Sequence, residues 1–188
     1  MKKIILIFTT IFSFFCKAQE YSLNTSPADI PNNAYIKDIN NELDQYVGLW
    51  KGTWNGKILY LDLKKVKYHY DGNHPYYIDK ILGERKVATS DGTIEIDRIS
   101  NFDYISPEFR GIYKSLRFAG KKTLTFSPKN MCRKTATLEI TSFTISQMTL
   151  HFEYEPSPID SNCQHNGYID QYGDFPINFP KDIVLTKQ

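Results

Sequence analysis

The sequence predicts a mainly β fold: an antiparallel meander of about 8–9 strands closing into a small barrel, preceded by one short N-terminal helix. Three observations carry that reading. From Trp50 onward the apolar positions recur mostly at period two rather than at the helical period. Turn pairs such as Asn55-Gly56, Asp91-Gly92 and Ala119-Gly120 punctuate those runs at short spacing. Most connections leave no room for the crossover helices that parallel strands require. A meander this long closes into a barrel or folds into a sandwich, and the barrel is the preferred reading.

Residues 1–18 read as an export signal. Lys2 and Lys3 form a basic start, and Ile4 to Phe15 is an uncharged run too short to span a bilayer as a helix. Small residues at Cys16 and Ala18 suit cleavage after Ala18, which leaves Gln19 first. The rival is acylation of Cys16, which anchors the mature chain to a membrane. Phe15 directly before the cysteine speaks against it, and the lack of another task for Cys16 speaks for it.

Residues 19–33, with Pro27, Pro31, Asn32 and Asn33, form an extended lead-in to a single domain at 34–188. In that domain Ile36, Ile39, Leu43 and Tyr46 fall at helical spacing between Asn33 as N-cap and Gly48 at C′, so the short helix is expected over 34–47. Trp50–Trp54, Asn55-Gly56 and Lys57–Leu63 make the clearest hairpin, because Asn-Gly takes the positive φ values of a type I′ turn. A slip at Lys64-Lys65 reads as a β-bulge before Val66, Tyr68 and Tyr70. Strands follow at 76–87, 93–99, 109–118 and 123–126. Ala136, Leu138 and Ile140, then Met148, Leu150, Phe152 and Tyr154, alternate with polar residues as half-buried antiparallel strands do. A last strand covers 183–186. Between Pro156 and Pro180 about 25 residues lack periodicity, the length at which a loop tends to be functional or disordered, and its aromatics suggest order.

Charge and cysteines bound the function. The 188 residues carry 23 Lys plus Arg against 21 Asp plus Glu, a formal charge of +2. Lys2, Lys3 and Lys17 all lie in the export segment, so the remaining domain is close to neutral. That argues against nucleic acid, whose binding needs a basic excess to release counterions. A membrane is expected as a partner only through an anchor at Cys16. Export places Cys132 and Cys163 in an oxidising space, where a bridge over about 30 positions is worth about 3.5 kcal/mol in the chain-entropy account.

Two resemblances follow from residues already named. Gly48-Leu49-Trp50, at the start of the first barrel strand, resembles the Gly-x-Trp element of lipocalin-like barrels, which implies that Trp50 packs across the closed end. Over nearly the whole chain, Asn32-Asn33-Ala34-Tyr35, Asn40-Asn41-Glu42-Leu43-Asp44, the 48–54 stretch and the 182–188 ending resemble an uncharacterised exported-protein family of the Bacteroidota, a domain of unknown function. That resemblance implies an exported, mostly β domain and supplies no activity.

Candidate chemistry is sparse. If Asp71-Gly72 is a two-residue turn, His69 faces His74 across the ladder within about 5 Å. Zinc would need further ligands, from His151 or His165. The competing reading, a polar hairpin tip, is preferred, and no metal or other cofactor is expected. His151, Glu153 and Glu155 share one strand face, as an acid/base set or a solvated outer face would, and the solvated face is the reading adopted. No catalytic residue is assigned, because no nucleophile elbow, zinc-binding helix motif, Cys-x-x-Cys or phosphate loop occurs. Tyr68, Tyr70, Tyr76 and Tyr77 interleave with Lys65, Lys67 and His69, as structural strand residues or as a stacking platform. The expectation is an exported, non-catalytic barrel in the periplasm, on the outer-membrane surface or secreted. It would carry a small apolar or amphipathic ligand. The alternatives are a lipid-anchored envelope module that binds a protein or glycan through 156–180 and, less favoured, a hydrolase.

Overall fold

In the computed structural model, which describes residues 19–114, 120–155, 161–173, 175–176 and 179–188, the period-two runs become β1 (Glu20–Ser22), β2 (Tyr35–Lys37), β3 (Gly48–Trp54), β4 (Lys57–Tyr70), β5 (Tyr76–Thr89), β6 (Ile94–Asp97), β7 (Phe109–Lys114), β8 (Lys122–Phe126), β9 (Ala136–Phe143), β10 (Gln147–Tyr154) and β11 (Asp182–Lys187). The α-helix among the described residues is α1 (Asn166–Tyr172). The expected export segment with Cys16, residues 115–119 of the expected 109–118 strand and its turn, and residues 156–160, 174 and 177–178 of the long loop lie outside the described residues.

The chain divides into two compact units, Met1–Asn40 with Lys67–Asp79, and Asn41–Val66 with Lys80–Gln188. In the second, the order β5-β4-β3-β11-β10-β9-β8-β7, with β7 pairing back onto β5, closes an antiparallel barrel of eight described strands. The Asn-Gly signal is borne out: Asn55 and Gly56 take φ of 47° and 72°, and Trp54 faces Lys57 across the turn. The β9–β10 alternation is also correct, with Ala136, Leu138, Met148 and Leu150 all at 0% exposure.

An eight-stranded barrel is just wide enough inside for side chains to fill it. Here Trp50, Leu59, Leu61, Leu63, Ile81, Leu124 and Leu138 are fully or almost fully buried. Phe109 stacks on Phe126 at 4.6 Å between centroids, and Phe179, from the long loop, lies 5.2 Å from Phe126 and 5.9 Å from Phe152. Close packing explains Gly83, where a Cβ would stand 2.6 Å from Leu63 Cδ2 and 3.1 Å from Phe109 Cβ. Trp50 is wholly buried, and its indole N–H donates to the Tyr46 carbonyl at 2.8 Å.

The helix expected over 34–47 is absent. Residues 35–37 instead form β2, parallel to β1 and to β5 with Tyr35 opposite Tyr77 and Ile36 opposite Ile78. Residues 44–46 form one 3-10 turn. Asn33 and Asn41 adopt positive φ of 62° and 55°, which a right-handed helix cannot accommodate, and Ile39 of the supposed apolar stripe is exposed. Sheet pairing supplies backbone hydrogen bonds that a 14-residue local helix would have had to make alone, so tertiary context overrides the spacing.

The first unit has its own apolar cluster, Ile30, Ala34 and Ile36, against which Tyr21, Leu23, Tyr76 and Ile78 pack. Asp79 ties β2 in place, accepting from the Tyr35 hydroxyl at 2.5 Å and from the Asp38 amide at 2.9 Å. The Lys67 ammonium sits 4.1 Å from the Tyr35 ring centre and 4.6 Å from that of Tyr77, so the interleaved lysine and tyrosines largely satisfy one another.

Candidate functional site

Strand neighbours point to opposite faces, so the adjacent charges Glu84 and Arg85 in β5 cannot both avoid the interior. Arg85 shares its face with Gly83 and reaches the aromatic core, its guanidinium 4.8 Å over the Phe126 ring. Its Nε donates to Glu108 at 2.8 Å, and both side chains are 3% exposed. Glu84, on the other face, is 0% exposed and has Arg98 Nε at 3.7 Å, and neither carboxylate oxygen meets a hydrogen-bond donor at ordinary distance. Burial, reinforced by the charge of Glu108, raises its pKa from 4.5 to about 7, while Arg98 and the amides of Glu108 and Asp103 offset only part of the rise.

Residues 98–108 cover Glu84 as an ordered loop. Asp103 accepts from the amides of Ile105 and Ser106 at 3.0 and 2.8 Å and from Lys129 Nζ at 3.1 Å, and these donors hold its pKa below the usual carboxylate value. Phe102 and Tyr104 pair at 4.7 Å, with Lys64 Nζ 4.1 Å over Phe102. The loop borders an open surface depression of about 400 Å³ lined by Arg98, Asn101, Phe102, Asp103, Tyr104 and Ile105.

The raised pKa of Glu84 makes stability depend on pH. Between about 4.5 and 7 the folded chain holds a proton that the unfolded chain has released, so stability present below that window is lost as pH rises through it. Glu84→Gln is therefore expected to stabilise the fold at pH 8 by up to about 3 kcal/mol and to flatten the pH dependence between 5 and 8. Urea midpoints at three pH values check it, and parallel wild-type and variant curves would remove the assignment.

The second candidate lies in the long loop. Cys132 and Cys163 are joined, with Cα atoms 5.5 Å apart. Around the bridge Met131, Cys163 and Phe175 form a buried cluster against which Ile169 and Tyr154 pack. Ile169 thus fixes the inner face of α1, which stops at Gly173 in the left-handed conformation at φ 73°. Tyr168 and Tyr172, one turn apart on the outer face, are 45% and 61% exposed with ring centroids 4.5 Å apart. The loop's aromatics therefore divide: Phe175 and Phe179 are core, and the tyrosines are surface.

The remaining expected residues do not converge. The β4–β5 connection is five residues, 71–75, not two, because Pro75 cannot donate to a ladder. His69 consequently stacks on Tyr77 at 4.6 Å and Tyr70 on Tyr76 at 4.8 Å, whereas the expected partner of His69 was His74. Among the described residues no group of three His, Cys, Asp or Glu could hold a metal ion. His151 Nδ1 meets Asp182 at 2.6 Å on a partly exposed face, while Glu155 takes a bond from Thr137 and Glu153 is exposed.

Glu84, Arg85, Arg98 and Glu108 belong to none of the motifs considered above. A signal existed in Gly83-Glu84-Arg85-Lys86, a run of charges inside a strand that must send at least one of them inward. A family model described as a family of unknown function (DUF6705) matches residues 1–188. No curated protein and no solved structure matches the chain.

Proposed function

We propose that this chain, which belongs to that family of unknown function, is an exported, non-catalytic β-barrel that works by binding at its outer surface, offering α1 to a protein or glycan of the cell envelope. The carrying observation is the Tyr168–Tyr172 pair, two large rings left in solvent on a helix that the Cys132–Cys163 bridge and Ile169 hold rigid. Pre-ordered tyrosines lose little entropy on contact and are favoured anchors of interfaces. The basic start at Lys2 and Lys3 and the uncharged run from Ile4 to Phe15 support export, and a disulfide is compatible with it. Acylation of Cys16 would tether the module rather than release it.

A carrier holding its ligand in the lumen needs an enclosed space. Phe109, Phe126, Phe152, Phe179 and Arg85 occupy that interior in mutual contact, which favours surface binding instead. The double variant Tyr168→Ala/Tyr172→Ala is expected to weaken saturable binding to isolated cell envelopes by about tenfold or more, with an unchanged melting temperature. Equal binding by both proteins would discard this surface.

A further inference from the structure

We infer that the depression formed by Arg98, Asn101, Phe102, Asp103, Tyr104 and Ile105 binds a carboxylate-bearing sugar residue, a uronic-acid-type unit of an acidic glycan. The site is separate from the tyrosine pair on α1 and does not depend on it. At about 400 Å³ it lies within the roughly 300–1,000 Å³ of small-ligand sites. Its lining combines an aromatic pair, an apolar side chain and planar polar groups, the mixture that a pyranose ring needs, with C–H faces to stack and hydroxyls at its rim to hydrogen-bond. Tyr104 is 51% exposed and Ile105 85%, yet both are held in place by the Asp103 turn, so the surface is ordered before any ligand arrives.

Charge selects the acidic sugar. Lys64, Arg98, Arg110 and Lys129 surround the loop, against Asp62, Asp103 and the enclosed Glu84, with Glu108 offset by Arg85. Asp103 is already compensated by two amides and Lys129, so it repels an incoming anion weakly. Arg98 is placed without being saturated: its contacts to Glu84 and Asp103 are 3.7 and 3.8 Å, longer than charge-assisted hydrogen bonds, and its side chain remains 32% exposed. A ligand carboxylate can take the outward edge of that guanidinium, and the Asn101 amide is within the same lining to meet a hydroxyl.

Glu84 then competes with the ligand for Arg98 from behind. The charged groups disposed around Glu84 are Asp62 and Lys64 on β4, Lys86 on its own strand with Asp97 on β6, Arg98 and Asp103 on the loop, and Glu108 and Arg110 at β7, with Glu108 neutralised by Arg85. Protonation of Glu84 removes the counter-charge and frees Arg98, while a uronate stays ionised. Binding therefore tightens as pH falls through the range in which Glu84 titrates.

Calorimetry on the full chain with tetragalacturonate and with its fully methyl-esterified form tests this. The expected result at pH 6 is about tenfold tighter binding of the acid than of the ester, weakening about threefold by pH 8. Glu84→Gln should abolish that pH dependence. The exposed-residue variants Asn101→Ala and Tyr104→Ala should each lose about tenfold, and Tyr168→Ala/Tyr172→Ala should bind as wild type. Equal affinity for acid and ester, no binding of either at millimolar concentration, or unchanged binding by the Tyr104 variant would overturn the assignment.

Discussion

Arg85→Met is expected to destabilise the barrel by about 3–5 kcal/mol, the cost of leaving a buried charge without its partner. Arg85 and Glu108 are each 3% exposed and 2.8 Å apart, so removing the guanidinium leaves the Glu108 carboxylate in the interior with no counter-charge of equal proximity. It would also stand unshielded beside Glu84, whose burial already disfavours its ionised form. The pair itself contributes much less than this loss, because both groups surrendered hydration to enter the core. Arg85→Met/Glu108→Leu, which removes both charges, should therefore recover most of the stability. Urea unfolding of the two variants separates the cases: a single variant within about 1 kcal/mol of wild type would show that water reaches the pair.

Cys132→Ser/Cys163→Ser is expected to cost about 3.5 kcal/mol for a bridge spanning 31 positions. The effect should be local as well as global. Without the bridge, α1 is held mainly by Ile169 and Phe175 in the Met131 cluster, and seven residues are too few for a helix to persist alone. Amide exchange in 166–172 should accelerate more than exchange in the β9–β10 pair. Uniform acceleration across both would mean that the bridge stabilises the whole barrel rather than this helix.

These two sites differ in how far the sequence announces them. The bridge follows from counting: two cysteines remain beyond the expected export segment, and the oxidising compartment that export implies would leave them one partner each. The buried ion pair requires knowing that β5 is covered on both faces, which alternation within β5 alone does not say. Likewise Asp71-Gly72 has the composition of a tight turn, whereas Pro75, one position before the strand resumes, lengthens the connection to 71–75. The helix expected at 34–47 failed for a related reason. Its apolar spacing is real, but Ile36 satisfies a sheet and Tyr46 the base of Trp50, so two separate contacts imitate one helical stripe.

By itself the sequence determined the barrel strands, the Asn55-Gly56 hairpin and the near-neutral domain, because these depend on residues close together in the chain and on the fixed period of a pleated strand. Which charges became enclosed, which loop aromatics entered the core and which stayed in solvent were decided only in three dimensions. Burial is a property of what packs on both sides of a strand. Glu84 acquires its raised pKa from a loop 14 and more positions away, and Arg98 becomes a candidate anchor for an acidic ligand only where that loop folds back over β5.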